Sequence, residues 1–108
     1  MLGLSGDARI FVCLDSVDLR KGFESLGRMT EDLFPKKLLT GAYFVFLNKT
    51  STTIKILYWD VDGFALWTKR LEKGSFPKSL LKEQMDRRCF LMLLEGVTPR
   101  KISRRFFL

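Results

Sequence analysis

Apolar positions along the chain follow two different periods. Residues 8–14, ARIFVCL, form a short run of β-forming residues closed by Asp15 and Ser16, which predicts a first strand. Leu19, Phe23, Leu26 and Leu33 then recur at spacings of four, three and seven, while Arg20, Lys21, Glu24 and Arg28 fall mostly off that line. This is one stripe of a 3.6-residue helix, and it predicts a helix from about 18 to 33 with the stripe buried. Either Ser16 or Asp18 could cap the start by accepting a backbone N–H, and Pro35 stops any extension.

Three extended runs follow: AYFVFL at 42–47, IKILYW at 54–59 and FALWTKR at 64–70. They are short, aromatic or β-branched, and separated by turn-forming residues, which predicts an antiparallel meander. The polar NKTSTT at 48–53 makes the first hairpin loop. With Asp62-Gly63 as the centre of the second turn, Val61 faces Phe64, Trp59 faces Leu66, Tyr58 faces Trp67 and Lys55 faces Arg70; a loop of Asp60 to Gly63 shifts the register by two. Both faces of these strands are apolar, so one should pack the helix and the other needs a cover or a partner. Residues 79–85 fit neither helix nor strand cleanly. Asp86 is a suitable N-cap for a second helix at 87–95, RRCFLMLLE, with Phe90, Leu93 and Leu94 on its apolar face and Gly96 as its stop. The order of elements predicts a single α+β domain, an antiparallel meander sheet packed by two helices, over residues 1–98.

Bulk properties narrow the function. A chain of 108 residues is sized for one core, and 46% hydrophobic with 29% charged residues is ordinary globular usage. No apolar run approaches the length of a membrane span and the opening residues lack a basic, then hydrophobic, leader pattern, so a cytoplasmic protein is expected. Cys13 and Cys89 stand far apart in a chain without histidine, which removes the usual zinc spacings; both read as small buried hydrophobes. The net charge is +7, and more than half of it lies in residues 99–108, a tail in which Arg100, Lys101, Arg104 and Arg105 stand without any acid. Such a tail contacts phosphates or merely solubilises.

Three stretches carry a family resemblance: RIFVCLDSVDLRKGFESL at 9–26, LTGAYFVFLNKTSTTIKILYWDVDGFALWTKRLEKGSF at 39–76 and LLEG at 93–96. They resemble the Orf2-like accessory protein, also labelled TnpB, of the insertion sequence 66 family. The family's Asp-Met-Arg-Lys signature falls on Asp18, Leu19, Arg20 and Lys21, with leucine for methionine, a volume-conserving exchange. Its Trp-Trp-Asp element is met by Tyr58, Trp59 and Asp60, and its Arg-Leu-Glu and following glycine by Arg70, Leu71, Glu72 and Gly74. The resemblance implies a protein encoded beside a separate transposase and a second accessory protein and needed for transposition. It does not extend to the much longer RNA-guided nuclease that shares the label.

The residues themselves offer little for catalysis. Asp60 and Asp62, with Asp18 or Glu72, could in principle hold metals for phosphoryl transfer. Both aspartates sit at an expected hairpin turn, however, where aspartate bonds local backbone. No phosphate-binding glycine loop or nucleophile elbow is present, so no catalytic residue, cofactor or metal is assigned. For binding to DNA at the element's ends, the candidate contacts are Arg20, Lys21, Lys49, Lys55, Lys69, Arg70 and Lys73, together with the four tail cations. Tyr58, Trp59 and Trp67 interleave with these bases as in binders of single strands, although tryptophans in such strands are more often core. Arg20 could instead pair with Asp18, Glu24 or a strand carboxylate. The competing expectation is a bridge between transposase subunits, with the two-sided apolar strands and Phe106-Phe107-Leu108 as interface.

Overall fold

In the computed structural model, the described residues are 4, 8–20, 22–35, 37 and 40–95. The elements run β1 (Ile10–Val12), α1 (Phe23–Leu33), β2 (Tyr43–Leu47), β3 (Thr53–Asp60), β4 (Gly63–Arg70), a 3-10 turn (Lys78–Leu80), β5 (Gln84–Met85) and α2 (Arg87–Leu94). The five strands form one sheet in the order β4-β3-β2-β1-β5. The fold is α+β, as the order of apolar runs predicts. The meander β2-β3-β4 is antiparallel, whereas β1 runs parallel to β2, pairing Ile10 with Tyr43 and Val12 with Val45. A parallel neighbour requires a crossover, and α1 is that crossover. The ambiguous segment before Asp86 supplies the 3-10 turn and β5, whose Met85 pairs with Ile10 on the far edge of the sheet.

Each face of the sheet has its own helix and core. Alternation sends Ile10, Val12, Val45, Leu47, Ile54 and Ile56 to one side, where Phe90, Leu93 and Leu94 of α2 cover them together with Phe76 and Met85. Phe11, Phe44, Phe46 and Leu57 point to the other side, against Leu26 of α1 and Phe34. Phe11, Phe34 and Phe44 form a ring cluster there, with centroids 5.2 to 5.8 Å apart. The two-sided apolar character of the strands is therefore satisfied within the chain.

Three local expectations change. First, α1 begins at Phe23 rather than near 18, because the residues after β1 continue beside β2: Cys13 N–H donates to the Val45 carbonyl and Val17 N–H to that of Leu47, both at 2.9 Å. Leu19 is buried from this extended segment, not from a helix, so it sets no helical phase. The buried helical positions are Leu26 and Thr30, with Met29 partly covered, while Phe23 is 51% and Leu33 45% exposed. Neither Ser16 nor Asp18 caps the helix; Gly22 occupies the N-cap without a side-chain bond. Thr30 keeps its buried hydroxyl satisfied by donating to the Leu26 carbonyl at 2.8 Å.

Second, the β3–β4 turn takes the shifted register: Asp60 pairs with Gly63 and Trp59 with Phe64, leaving Val61 and Asp62 as the loop. Asp62 N–H donates to the Asp60 carbonyl across Val61, which adopts φ 55°. Third, Cys13 is buried but Cys89 is only half-buried. Burial raises the Cys13 thiol pKa, and the hydrogen bond to Asp86 raises that of Cys89. Asp86 caps α2 as expected, its carboxylate accepting from Cys89 N–H at 2.7 Å. Gly96, assigned above as the helix stop, lies outside the described residues.

Candidate nucleic-acid interface

The hairpin register and the extended path after β1 create an open cleft at one end of the sheet. Thr53 pairs with Arg70, so the end of β4 meets the Asn48–Thr53 loop. Asn48 organises that loop: its Oδ1 accepts from the N–H groups of Thr52 and Thr53 at 2.9 and 3.1 Å, and its Nδ2 donates to the Thr52 hydroxyl at 3.1 Å. The segment Ser16–Arg20 forms the facing wall. Together with Lys55 and Arg70 these stretches enclose a cleft of about 730 Å³.

Four of the candidate cations converge here: Arg20, Lys49, Lys55 and Arg70 all line the cleft, with Asp18 as its carboxylate. They are not equivalent. Lys55 shares the α1 side with its cross-strand neighbour Phe46, and its Nζ donates to the Leu19 carbonyl at 2.6 Å. It therefore ties the wall of the cleft to β3. Arg20 meets Asp18 through two side-chain bonds, Nε to Oδ1 at 2.9 Å and an Nη to Oδ2 at 2.8 Å, and its backbone N–H adds a third at 3.0 Å. Of the alternatives open for Arg20, pairing with Asp18 is the one formed. That hydrogen bond raises the guanidinium pKa further, so the group stays cationic at any working pH. Lys49 and Arg70 are exposed, and among the described residues neither side chain is engaged in a hydrogen bond or ion pair.

The other candidates lie elsewhere. Lys69 pairs with Ile54 on the opposite face, where its Nζ donates to the Leu94 carbonyl at 2.7 Å and closes the C-terminal end of α2. Lys73 is exposed in the segment after β4 and does not line the cleft. Lys21, Arg100, Lys101, Arg104 and Arg105 lie outside the described residues. What sequence reading did not single out are the cleft's hydroxyls, Ser16, Thr50, Thr52 and Thr53; the polar run NKTSTT was their only signal and served there merely as a loop.

The aromatic candidates separate from the cleft. Trp67 packs on the α2-side core, and Tyr58 stands against Tyr43 with ring centroids 5.2 Å apart on that same side. Trp59 and Phe64 lie on the α1 side at the far end of the hairpin, edge to face at 5.0 Å and each a little over a third exposed. Asp60 and Asp62 flank that same turn, away from the cleft. Among the described residues, no group of three or more cysteines, aspartates and glutamates could hold a metal ion, and no helix is long and apolar enough to cross a membrane.

Comparison with known proteins adds a family match. The family model described as IS66 Orf2-like protein matches residues 8–104. Two proteins of Sinorhizobium fredii, each named as uncharacterized, are similar. The first, y4hO, is 32% identical over 76 residues, which spans 70% of this chain and 66% of that protein, just under two thirds of its length. The second, y4jC, is 31% identical over 108 residues, spanning 97% of this chain and 92% of that protein. No solved structure matches the chain.

Proposed function

Because the chain belongs to the IS66 Orf2-like family and so to the accessory proteins of insertion-sequence transposition, we propose that it serves transposition by binding DNA at the element's ends through its cationic cleft, without catalysing strand chemistry. The observation that carries this reading is the convergence of Arg20, Lys49, Lys55 and Arg70, drawn from three separate stretches of sequence, on one open cleft. With four cations against the single carboxylate of Asp18, the cleft is net positive, which raises the local concentration of a polyanion, and each phosphate neutralised releases counterions. Within it Lys49 and Arg70 make the phosphate contacts, Arg20 contributes from its pair with Asp18, and Lys55 positions the wall. Lys21, Lys73, Arg100, Lys101, Arg104 and Arg105 add to the positive charge of the chain, while Lys69 serves α2. The transposase and the element's second accessory protein are its partners in the cytoplasm, and no cofactor enters.

A second reading, bridging between transposase subunits without DNA contact, draws on the exposed Phe23, Trp59 and Phe64, of which Phe23 and Phe64 line a small depression with Glu24, Gly27 and Leu57. One titration separates the two. The doubly substituted Lys49→Ala, Arg70→Ala protein is compared with the unaltered chain on the element's terminal repeats and on an unrelated duplex, at several salt concentrations. Direct binding requires weaker affinity on both sequences and a salt slope shallower by about two units, near 0.9 per lost phosphate contact. Unchanged affinity and slope, with transposition impaired, would assign the cations to a protein partner.

A further inference from the structure

The rings and cations that interleave along the sequence part company in the fold. On the α1 side of the β3–β4 hairpin, Arg70 pairs with Thr53 at one end and Phe64 with Trp59 at the other. Those positions are six residues apart on β3, about 20 Å at the usual strand rise of roughly 3.3 Å per residue. Between them the face is apolar: Leu57 is 1% exposed and Leu66 packs beside it in the core that α1 covers. A single strand following the cations would have to leave the cleft and cross this covered surface before one of its bases reached Trp59. Tyr58 and Trp67 are on the opposite face altogether.

Besides the aliphatic Val17 and Leu19, the side chains that line the cleft are polar or charged. The hydroxyl-bearing residues Ser16, Thr50, Thr52 and Thr53 line it together with Lys49 and Arg70, and among the described lining residues there is no aromatic ring. Hydroxyl and cationic groups are the usual partners of phosphate and sugar oxygens, and such contacts position a duplex without reading its bases. Sequence-tolerant binding of single strands relies instead on rings set along the cation track. Resting on the DNA-binding reading above, we infer that the cleft takes the sugar–phosphate backbone of double-stranded DNA, with no base stacked on the protein and no sequence read by the cleft itself, so that placement at the element's ends falls to the transposase.

Fluorescence anisotropy with a dye-labelled duplex of scrambled sequence, and with each of its strands alone, tests this on the full chain. The duplex should bind several-fold more tightly than either strand, and Lys49→Ala with Arg70→Ala should weaken duplex binding by about tenfold at moderate salt. Trp59→Leu should leave both affinities unchanged, and in a Trp67→Phe background, where Trp59 is the remaining tryptophan, DNA should not alter its emission. A strand bound as tightly as the duplex, or Trp59 emission quenched by single strands, overturns the inference in favour of base stacking while leaving DNA binding intact. Absence of binding to duplex and strands alike removes the DNA-binding reading itself.

Discussion

Val61 is a β-branched residue held at φ 55° with its side chain 90% exposed, so its conformation is strained and no packing offsets the strain. The left-handed region costs an L-residue roughly 1–2 kcal/mol, and glycine gives back about 0.5–1 kcal/mol through its looser unfolded chain. Val61→Gly should therefore stabilise by about 0.5–1 kcal/mol, read as a higher urea midpoint with unchanged slope. A lower midpoint would show that the turn does not hold this residue left-handed. Lys55 and Lys49 give the contrasting pair in the cleft. Lys55→Met loses a charged donor to the Leu19 carbonyl and should cost about 1.5–3 kcal/mol. Lys49→Met, which breaks no hydrogen bond or ion pair among the described residues, should stay within about 0.5 kcal/mol. Equal stabilities for the two variants would remove the positioning role given to Lys55.

Among the elements, α1 is where apolar spacing misleads and burial decides. Leu26→Ala, on the covered face, should cost about 2–5 kcal/mol, whereas Phe23→Ala on the exposed first turn should cost under about 1 kcal/mol. The reverse order in chemical denaturation would place the stripe where the sequence alone suggests. In α2 the Asp86 cap makes a pH-dependent contribution. Its hydrogen bond from Cys89 N–H lowers the folded-state pKa below the ordinary 3.8. The cap's ionic contribution is thus fully present above that ordinary value and is lost as pH falls through the depressed one. Asp86→Asn keeps an acceptor at the cap but should flatten the acid side of the stability profile of α2, followed by amide exchange between pH 2 and 5.

For the molecule as a whole, the charge distribution sets expectations that no single element carries. Deleting residues 99–108 removes four of the 19 basic residues. It should lower the salt slope of DNA binding more than the loss of either Lys49 or Arg70 alone, with the cleft still competent at low salt. Binding abolished at every salt concentration would move the interface from the cleft to the tail. The purified protein should neither nick nor join DNA with Mg²⁺ or Mn²⁺, since the turn aspartates Asp60 and Asp62 are remote from Asp18 and the cationic cleft. Metal-dependent nicking that vanishes in Asp60→Asn would refute a non-catalytic role.

Periodicity and turn chemistry by themselves determined the meander, the Asp86 cap, the covered face of α2 and the α+β class. These depend on neighbours a few residues away, which a sequence displays directly. The family was legible in the wording of residues 9–26 and 39–76, and so were the cations of the cleft, though as scattered positions and not as a site. Tertiary structure decided the rest. Val17 is tied to Leu47 of β2 and Leu19 to Lys55 of β3, contacts 30 and 36 residues distant that shift the start of α1 and turn Phe23 outward. A two-residue change of hairpin register keeps every side chain on its own face, so alternation could not choose between Leu66 and Phe64 as the partner of Trp59. The same hairpin divides Lys69 from Arg70, adjacent in sequence, between opposite faces of the sheet: one closes a helix and the other opens onto the cleft.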